Sequence, residues 1–519
     1  MFVKGCGIRS VLMLFFCGFV LLSCDTQTDV TITGVTVTED QSVSDLFTRH
    51  TVTGITTPLP QLPDVPGLLG VSYVTIEDIN GDGVKEIIGS SGIGLDVDIV
   101  TDDGLVALFT WDGTNIDSWT MTILYDEFAF PNETHVHDMD DDGDLDIMVM
   151  DNFLANLYPA GIYYLENKGG DIAQRSNWVK QDIYVGDDTP QGLSSYHRAI
   201  FMDVDEDGLE DFITTKACMM CWFTGEQFSW MEWFKNEGDG FSGPNEIGPG
   251  GGFLFNVGDI DGDGDRDIIA PQFLITEPMT ATIMGSAEEH DPNGDAVIWY
   301  ENPGPADAAK PWNRYTVENW YTSKNPVGKG FETVMADVDQ DGSDELVFTS
   351  HNNQNYLPEG SYESRIWPAG VFLFEVPDEP RQTENWLPIT IETGDPDLDP
   401  YDPAAVAADV YAVDRPGSVI SQASPGFISV GDVNGDAWPD LVVSGDGKGA
   451  LYYYQCRGVS GSTLSYTRSD LYKETACMPG GSVIVDIDND GDKDIVVAVY
   501  DTSVNKDTAS SSVFIYRQD

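Results

Sequence analysis

The chain is short of positive charge. Its 519 residues carry 25 Lys and Arg against 88 Asp and Glu, a formal net charge of −63. That balance excludes nucleic acid or an anionic membrane surface as a partner, because either would be repelled. Histidine is scarce, at 6 residues. Long apolar runs are missing beyond the start of the chain, so no later stretch supplies the roughly 20 apolar residues of a membrane-spanning helix. No Gly-x-Ser-x-Gly elbow and no phosphate-binding Gly-rich loop occurs, which removes two common enzyme signatures. A second Cys-x-x-Cys is also lacking. The one present, Cys218-Met-Met-Cys221, leaves a small-loop disulfide, a redox pair or half a zinc site. Without a thioredoxin-like βαβ pattern around it, a structural disulfide between Cys218 and Cys221 is the expectation.

What the sequence does have begins with an export segment. Lys4 and Arg9 precede Val11 to Leu22, an apolar run of 12 residues, too short to span a bilayer. The following Leu21-Leu22-Ser23-Cys24 resembles a bacterial lipobox, in which Cys24 becomes the lipidated first residue. An ordinary cleaved signal peptide is the other reading; both export the mature protein, and the lipid-anchored reading places it in the bacterial cell envelope. Membrane contact is then expected only through a lipid at the N-terminus. Residues 1–24 read as the signal peptide, 25–44 as a flexible tether and 45–519 as the folded part.

A repeat organises that part. The nonapeptide Asp-x-Asp/Asn-x-Asp-Gly-x-x-Asp/Glu recurs seven times, starting at Asp78, Asp138, Asp203, Asp259, Asp337, Asp432 and Asp486. The spacings of 60, 65, 56, 78, 95 and 54 residues are one unit plus insertions. Short apolar runs flank each copy, as Ser482 to Val485 and Ile495 to Val499 flank the last. A third, aromatic-rich run follows in most units, such as Val297 to Asn302 or Ala450 to Tyr454, and a fourth such as Trp312 to Val317 or Trp178 to Ile183. Four antiparallel strands per unit, repeated radially, predict an all-β, seven-bladed β-propeller. The last unit lacks a fourth run, and Phe47 to Val52 near the N-terminus lines up with Trp312 to Val317. The N-terminal segment is therefore expected to complete the last blade and close the ring.

The repeat spacing also carries chemistry. Side chains at positions 1, 3 and 5 of a tight loop converge on one centre, position 7 offers a carbonyl, and position 9 returns a carboxylate. Gly at position 6 permits the turn. Hard oxygen ligands without His or Cys favour Ca²⁺ over Zn²⁺ or copper, and Mg²⁺ prefers a smaller octahedron that keeps water. Up to seven calcium ions are expected, structural in role, with affinities of about 10⁻⁴ to 10⁻³ M. Solvated hairpin turns are the plainer alternative.

These loops resemble those of the FG-GAP and VCBS repeat proteins, a family that includes the propeller of integrin α chains. The resemblance covers residues 45–519, although the Phe-Gly and Gly-Ala-Pro signatures are not evident. By position it implies side-chain calcium ligands at Asp78, Asn80, Asp82 and Glu86 in the first loop and Asp138, Asp140, Asp142 and Asp146 in the second. The third and fourth would use Asp203, Asp205, Asp207 and Asp211, then Asp259, Asp261, Asp263 and Asp267. The fifth to seventh would use Asp337, Asp339, Asp341 and Glu345, then Asp432, Asn434, Asp436 and Asp440, then Asp486, Asp488, Asp490 and Asp494. The sixth departs from the pattern, with Ala437 in place of Gly and Pro439 two residues on.

In such a propeller all seven loops share one face. The opposite face collects the insertions at 271–296, 351–369 and 392–425, the Cys218/Cys221 segment and Cys477. Cys456 ends a strand running the other way, so a Cys456–Cys477 disulfide is not expected. Residues at the innermost strands, namely Glu133, His135, His137, Tyr196, His197, Arg198, Lys329 and Glu332, are candidates to ring the central channel on the insertion face. Satisfied structural histidines are the common outcome there. Three functions compete. The first is a monomeric binding or adhesion protein for a glycan or protein ligand. The second, from the resemblance, is a polysaccharide lyase or sugar dehydratase with His197 or Tyr196 as base beside Arg198. The third is a purely structural surface protein; fold alone does not choose.

Overall fold

The computed structural model describes residues 31–52, 71–91, 104–152, 161–186, 194–218, 229–272, 295–319, 327, 329–351, 370–393, 424–446, 450–473, 477–501 and 512–518. The export segment with Cys24, most of the three insertions, and Cys221 lie outside these residues.

The second strand of each unit is buried along its described length around an apolar run, as in Ile147-Met-Val-Met150 and Leu441-Val-Val443, all at 0% exposure. A strand buried on both faces must be covered on both sides. The chain achieves this by stacking seven antiparallel sheets side by side. Blade one consists of Val71–Glu77, Glu86–Ser91, Gly104–Trp111 and Trp119–Phe128. Blade two is Thr134–His137, Asp146–Asp151, Gly161–Asn167 and Trp178–Val185; blade three is Ser195–Met202, Asp211–Ala217, Ser229–Asn236 and Phe241–Pro249. Blade four is Asn256–Gly258, Asp267–Pro271, Asp295–Glu301 and Asn313–Asn319; blade five is Lys329–Ala336, Glu345–His351, Gly370–Phe374 and Ile389–Thr393. Blade six is Ser424–Gly431, Asp440–Asp446, Ala450–Ser460 and Thr463–Lys473. Blade seven takes Cys477–Val485, Asp494–Asp501 and Ser512–Gln518 from the C-terminus and Phe47–Val52 from the N-terminus, paired antiparallel from Phe47↔Gln518 to Val52↔Val513.

The expected swap of chain ends is therefore present. Its energetic partner is the packing between blades. Seven apolar clusters fill the spaces between neighbouring blades, and the one joining blade seven to blade one unites Val496 and Ile515 with Ile87, Leu105 and Phe109. The ring has no unpaired end. At about 1.5–3 kcal/mol for each large apolar side chain removed from water, these interfaces dominate the stability.

Two features were not visible in the sequence. Residues 25–44 were expected to be a tether, yet Gly34–Glu39 forms a fifth strand on blade six, parallel to Thr463–Lys473 from Gly34↔Thr463 to Glu39↔Arg468. Ile32 just before it is buried between blades five and six. A six-residue 3₁₀ segment, Gln41–Leu46, then leads into the closing strand. The aromatic starts of the fourth strands also have a specific task. Trp119, Trp178, Trp312 and Trp386 are buried and donate their indole N–H to the carbonyls of Ile116, Ile172, Ala308 and Pro380, at 2.6, 2.9, 3.1 and 2.8 Å. Each indole pins the turn between third and fourth strands, satisfying its polar atom inside an apolar interface.

Candidate functional site

All seven acidic loops join the first strand of a blade to its second, so they lie on one face. The loop is built from its own carboxylates. In the first, Asp78 accepts from the backbone N–H of Asp82 (3.0 Å) and Gly83 (2.8 Å), Asn80 accepts from Asp82 (2.8 Å), and Asp82 from Val84 (2.8 Å). Glycine at position 6 is left-handed, with φ of 89 to 103° in six loops. The sixth loop keeps that geometry with Ala437 at φ 75°, and its N–H still reaches Asp432 Oδ2 at 2.8 Å. Position 4 is left-handed too in every loop, at φ 55 to 75°, whether Gly, Asp, Glu, Gln or Asn stands there. Gly at that position in three of the seven copies was the readable signal for it.

Position 9 has a structural role in the loop itself. Each of its carboxylates is buried and accepts the N–H of position 2, from Ile79→Glu86 at 3.1 Å to Ile487→Asp494 at 3.1 Å. The five Asp members use their other oxygen to hold the third strand, at or just beyond its end through Asn167, Asn236, Asn302 and Gln518 and within it through Cys456, at 2.7 to 3.1 Å. Burial raises all of these acids: Asp146, Asp211 and Asp440 to about 6, Glu86, Asp267 and Asp494 to about 7, and Glu345 to about 9.

The donor set fits a hard cation. In loops two, three, five and seven, carboxylates at positions 1, 3 and 9 present oxygens within 4.8 Å of one another; in loop four positions 1, 3 and 5 do so. Six of the buried oxygens at positions 1 and 3 accept no hydrogen bond: Asp140 Oδ1, Asp205 Oδ1, Asp261 Oδ1, Asp337 Oδ1, Asp339 Oδ2 and Asp486 Oδ1. Such acceptors are costly unless a cation meets them. Basic side chains reach three loops: Lys235 meets Asp205 and Asp207, Arg381 meets Asp261, and Arg517 meets Asp488 and Asp490. Among the described residues no ion pair touches loops two and five.

The channel candidates separate. A β-bulge recurs near the start of the innermost strands, between Val71/Val74, Tyr196/Ala199, Gly330/Glu332, Pro425/Ile428 and Pro479/Ser482. Bulges re-aim side chains. Here they carry Tyr73, His197, Phe331 and Phe427, which with Phe253 form a continuous aromatic plug with centroid spacings of 4.9 to 5.5 Å. Against it lies an ion cluster. Arg198 donates to both oxygens of Glu133 (3.2 and 3.0 Å), to Glu332 Oε1 (2.8 Å) and to the Phe255 carbonyl (3.3 Å). Glu332 Oε2 accepts from Ile428 N–H at 2.8 Å. His135 Nε2 accepts from Ala199 N–H at 3.0 Å, and burial with Arg198 nearby holds it at about 3, hence neutral.

The remaining candidates lie elsewhere. Tyr196, adjacent to His197, points the other way into the blade two–three interface and donates to Glu232 at 3.0 Å. Burial raises its phenol well above the usual range. Tyr196 and His197 therefore do not form one acid–base site with Arg198. His137 is the last residue of its strand, on the loop side rather than the insertion side, stacked on Phe201 at 4.4 Å. Lys329 opens the innermost strand of blade five, and its side chain is outside the described residues. Cys218 is disulfide-bonded, while Cys456 is buried and free.

Fold and loops together define a seven-bladed β-propeller with an acidic loop in each blade. Residues 432–497, from the sixth acidic loop through the rest of blade six and into the second strand of blade seven, match a family model described as FG-GAP-like repeat, and the seven-bladed propeller fits an FG-GAP repeat propeller. No curated protein matches the sequence. Among solved structures it is similar to a Penicillium chrysogenum alpha-L-arabinanase complexed with arabinobiose, at 10% identity and TM-score 0.40, over 89% of this chain and 98% of that one. It is also similar to the polysaccharide lyase Uly1, at 9% identity and TM-score 0.40, over 95% and 98%. The V. cholerae biofilm matrix protein Bap1 follows at 10% and 0.33, over 94% and 91%. Likeness at this level says nothing of what this chain binds.

Proposed function

We propose that the protein is an exported, lipid-anchored, monomeric calcium-binding propeller of the cell envelope that holds a polysaccharide or protein ligand on the face opposite the acidic loops. The observation that carries the calcium is the set of buried carboxylate oxygens at positions 1 and 3 that no donor meets. Calcium there would neutralise clustered acids and fix the seven turns from which the second strands start. Loops two and five are the tightest sites, and loops three, four and seven, whose carboxylates already meet Lys235, Arg381 and Arg517, are weaker. A site saturated a hundredfold above its Kd adds about 2.7 kcal/mol to the folded state. Excess EGTA is therefore expected to lower the melting temperature by at least 10 °C, and an unchanged melting temperature removes the structural-metal reading.

Ligand binding is assigned to the insertion face because the channel is filled by the aromatic plug and Arg198 is saturated by its own chain. Nothing in the cluster favours the lyase reading, since Tyr196 and His197 diverge. Passage over immobilised polysaccharides tests this. Retention with no absorbance from unsaturated uronate is the expected result; release of unsaturated product assigns an enzyme instead.

A further inference from the structure

The polarity of the N-terminal strand decides which face of the propeller an anchor at Cys24 would turn to the membrane. In each blade the first strand ends at the acidic loop, so the third strand also ends on that face and the fourth begins there. In blade six the turn between third and fourth strands, Ser460↔Thr463, is thus on the loop face. Gly34–Glu39 runs parallel to the fourth strand and starts opposite Thr463, so the chain enters from the loop face. Three contacts fix the entry point. Thr33 N–H donates to the Ser462 carbonyl at 2.9 Å, and their hydroxyls lie 2.7 Å apart. Ile32 N–H donates to Glu375, which follows the third strand of blade five at the same face.

Only eight peptide steps separate Cys24 from Ile32. Fully extended they reach about 28 Å. An eight-residue innermost strand such as Ser195–Met202 alone is about 26 Å long. To bring the insertion face to the bilayer, the tether would have to cross the whole thickness of the blade and round its rim. It has no length left for that. The geometry points to the acidic loop face, near blades five and six, as the membrane-proximal surface, with the insertion face presented outward to ligands. This rests on the lipid anchor proposed above.

The test uses the full-length lipidated protein in phosphatidylcholine vesicles containing a nitroxide-headgroup lipid. A fluorophore is placed on Ser460→Cys, in the exposed loop-side turn, or on Lys473→Cys, exposed at the opposite end of the same strand pair, both with Cys477→Ser. The probe at position 460 is expected to be quenched at least threefold more strongly than that at 473. Inserting twenty Gly/Ser residues after Thr28 should remove the difference. Equal or reversed quenching in the vesicle-bound protein overturns the orientation alone. Partition of the wild-type protein into the detergent phase of Triton X-114 no greater than that of Cys24→Ser overturns the anchor, and the orientation with it.

Discussion

The propeller holds two populations of buried carboxylates, and they are treated in opposite ways. At the centre, Glu133 and Glu332 share Arg198, whose guanidinium, together with the Ile428 N–H, meets their oxygens. Around the loop face, oxygens of Asp140, Asp205, Asp261, Asp337, Asp339 and Asp486 have no donor. Burial pushes up Glu133 and Glu332 at the centre and Asp261 and Asp339 on the loop face. The central set is compensated from within the chain and serves to lock blades two to six together. The peripheral oxygens have no such donor among the described residues, and in the function proposed above a cation from outside supplies it.

The sharpest way to break that comparison is to remove the central cation. Arg198→Met leaves two carboxylates buried beside an aromatic plug and is expected to cost about 3–5 kcal/mol by chemical denaturation, with calcium unable to restore it. The triple change Arg198→Met, Glu133→Gln, Glu332→Gln should return most of the loss. If Arg198→Met alone is neutral, the cluster is not what holds the blades.

The next effect distinguishes the two sets by pH. The position-9 acids have folded pKa values raised by burial, from about 6 at Asp146 to about 9 at Glu345, above their unfolded values. Between these limits the folded state holds protons that the unfolded state has released, so stability falls as pH rises. In EDTA the melting temperature should therefore drop steadily from pH 5 to pH 9. With millimolar calcium, which competes for the same carboxylates, that drop should vanish or reverse. A calcium-free profile that rises over this range contradicts the burial of these acids.

The smallest effect lies in the sixth loop. Ala437 occupies a left-handed conformation at φ 75° that glycine adopts without strain. Ala437→Gly should stabilise the protein by about 1 kcal/mol and tighten calcium at that loop, read by thermal melting and titration calorimetry. A destabilised variant would mean that the alanine methyl is packed rather than strained.

Much of this was legible from residues alone, for identifiable reasons. The run Asp78 to Glu86 and its counterparts are local: spacing, turn residue and the clustered carboxylates are all written within nine positions. The strand exchange was legible because Phe47 to Val52 aligns with the fourth strands and the last unit lacked one. The tether over 25–44 was misjudged because Gly34–Glu39 has no repeat partner; only the exposed edge of blade six gives it a reason to be a strand. Tyr196, His197 and Arg198 looked like one constellation because they are neighbours in sequence. Alternation along a strand and a bulge at the same position send Tyr196 one way and His197 the other.

By itself, then, the sequence determined the number of blades, the antiparallel meander and the place of the seven acidic loops, since all of these depend on local pattern repeated seven times. Tertiary structure decided the rest. Which carboxylates find an internal cation, which aromatic residues fill the channel, and from which face the N-terminus enters all depend on blades far apart in sequence being brought into contact. Arg198 reaches Glu332 across 134 residues, and Thr33 reaches Ser462 across 429. No periodicity encodes such pairs; closing the ring does.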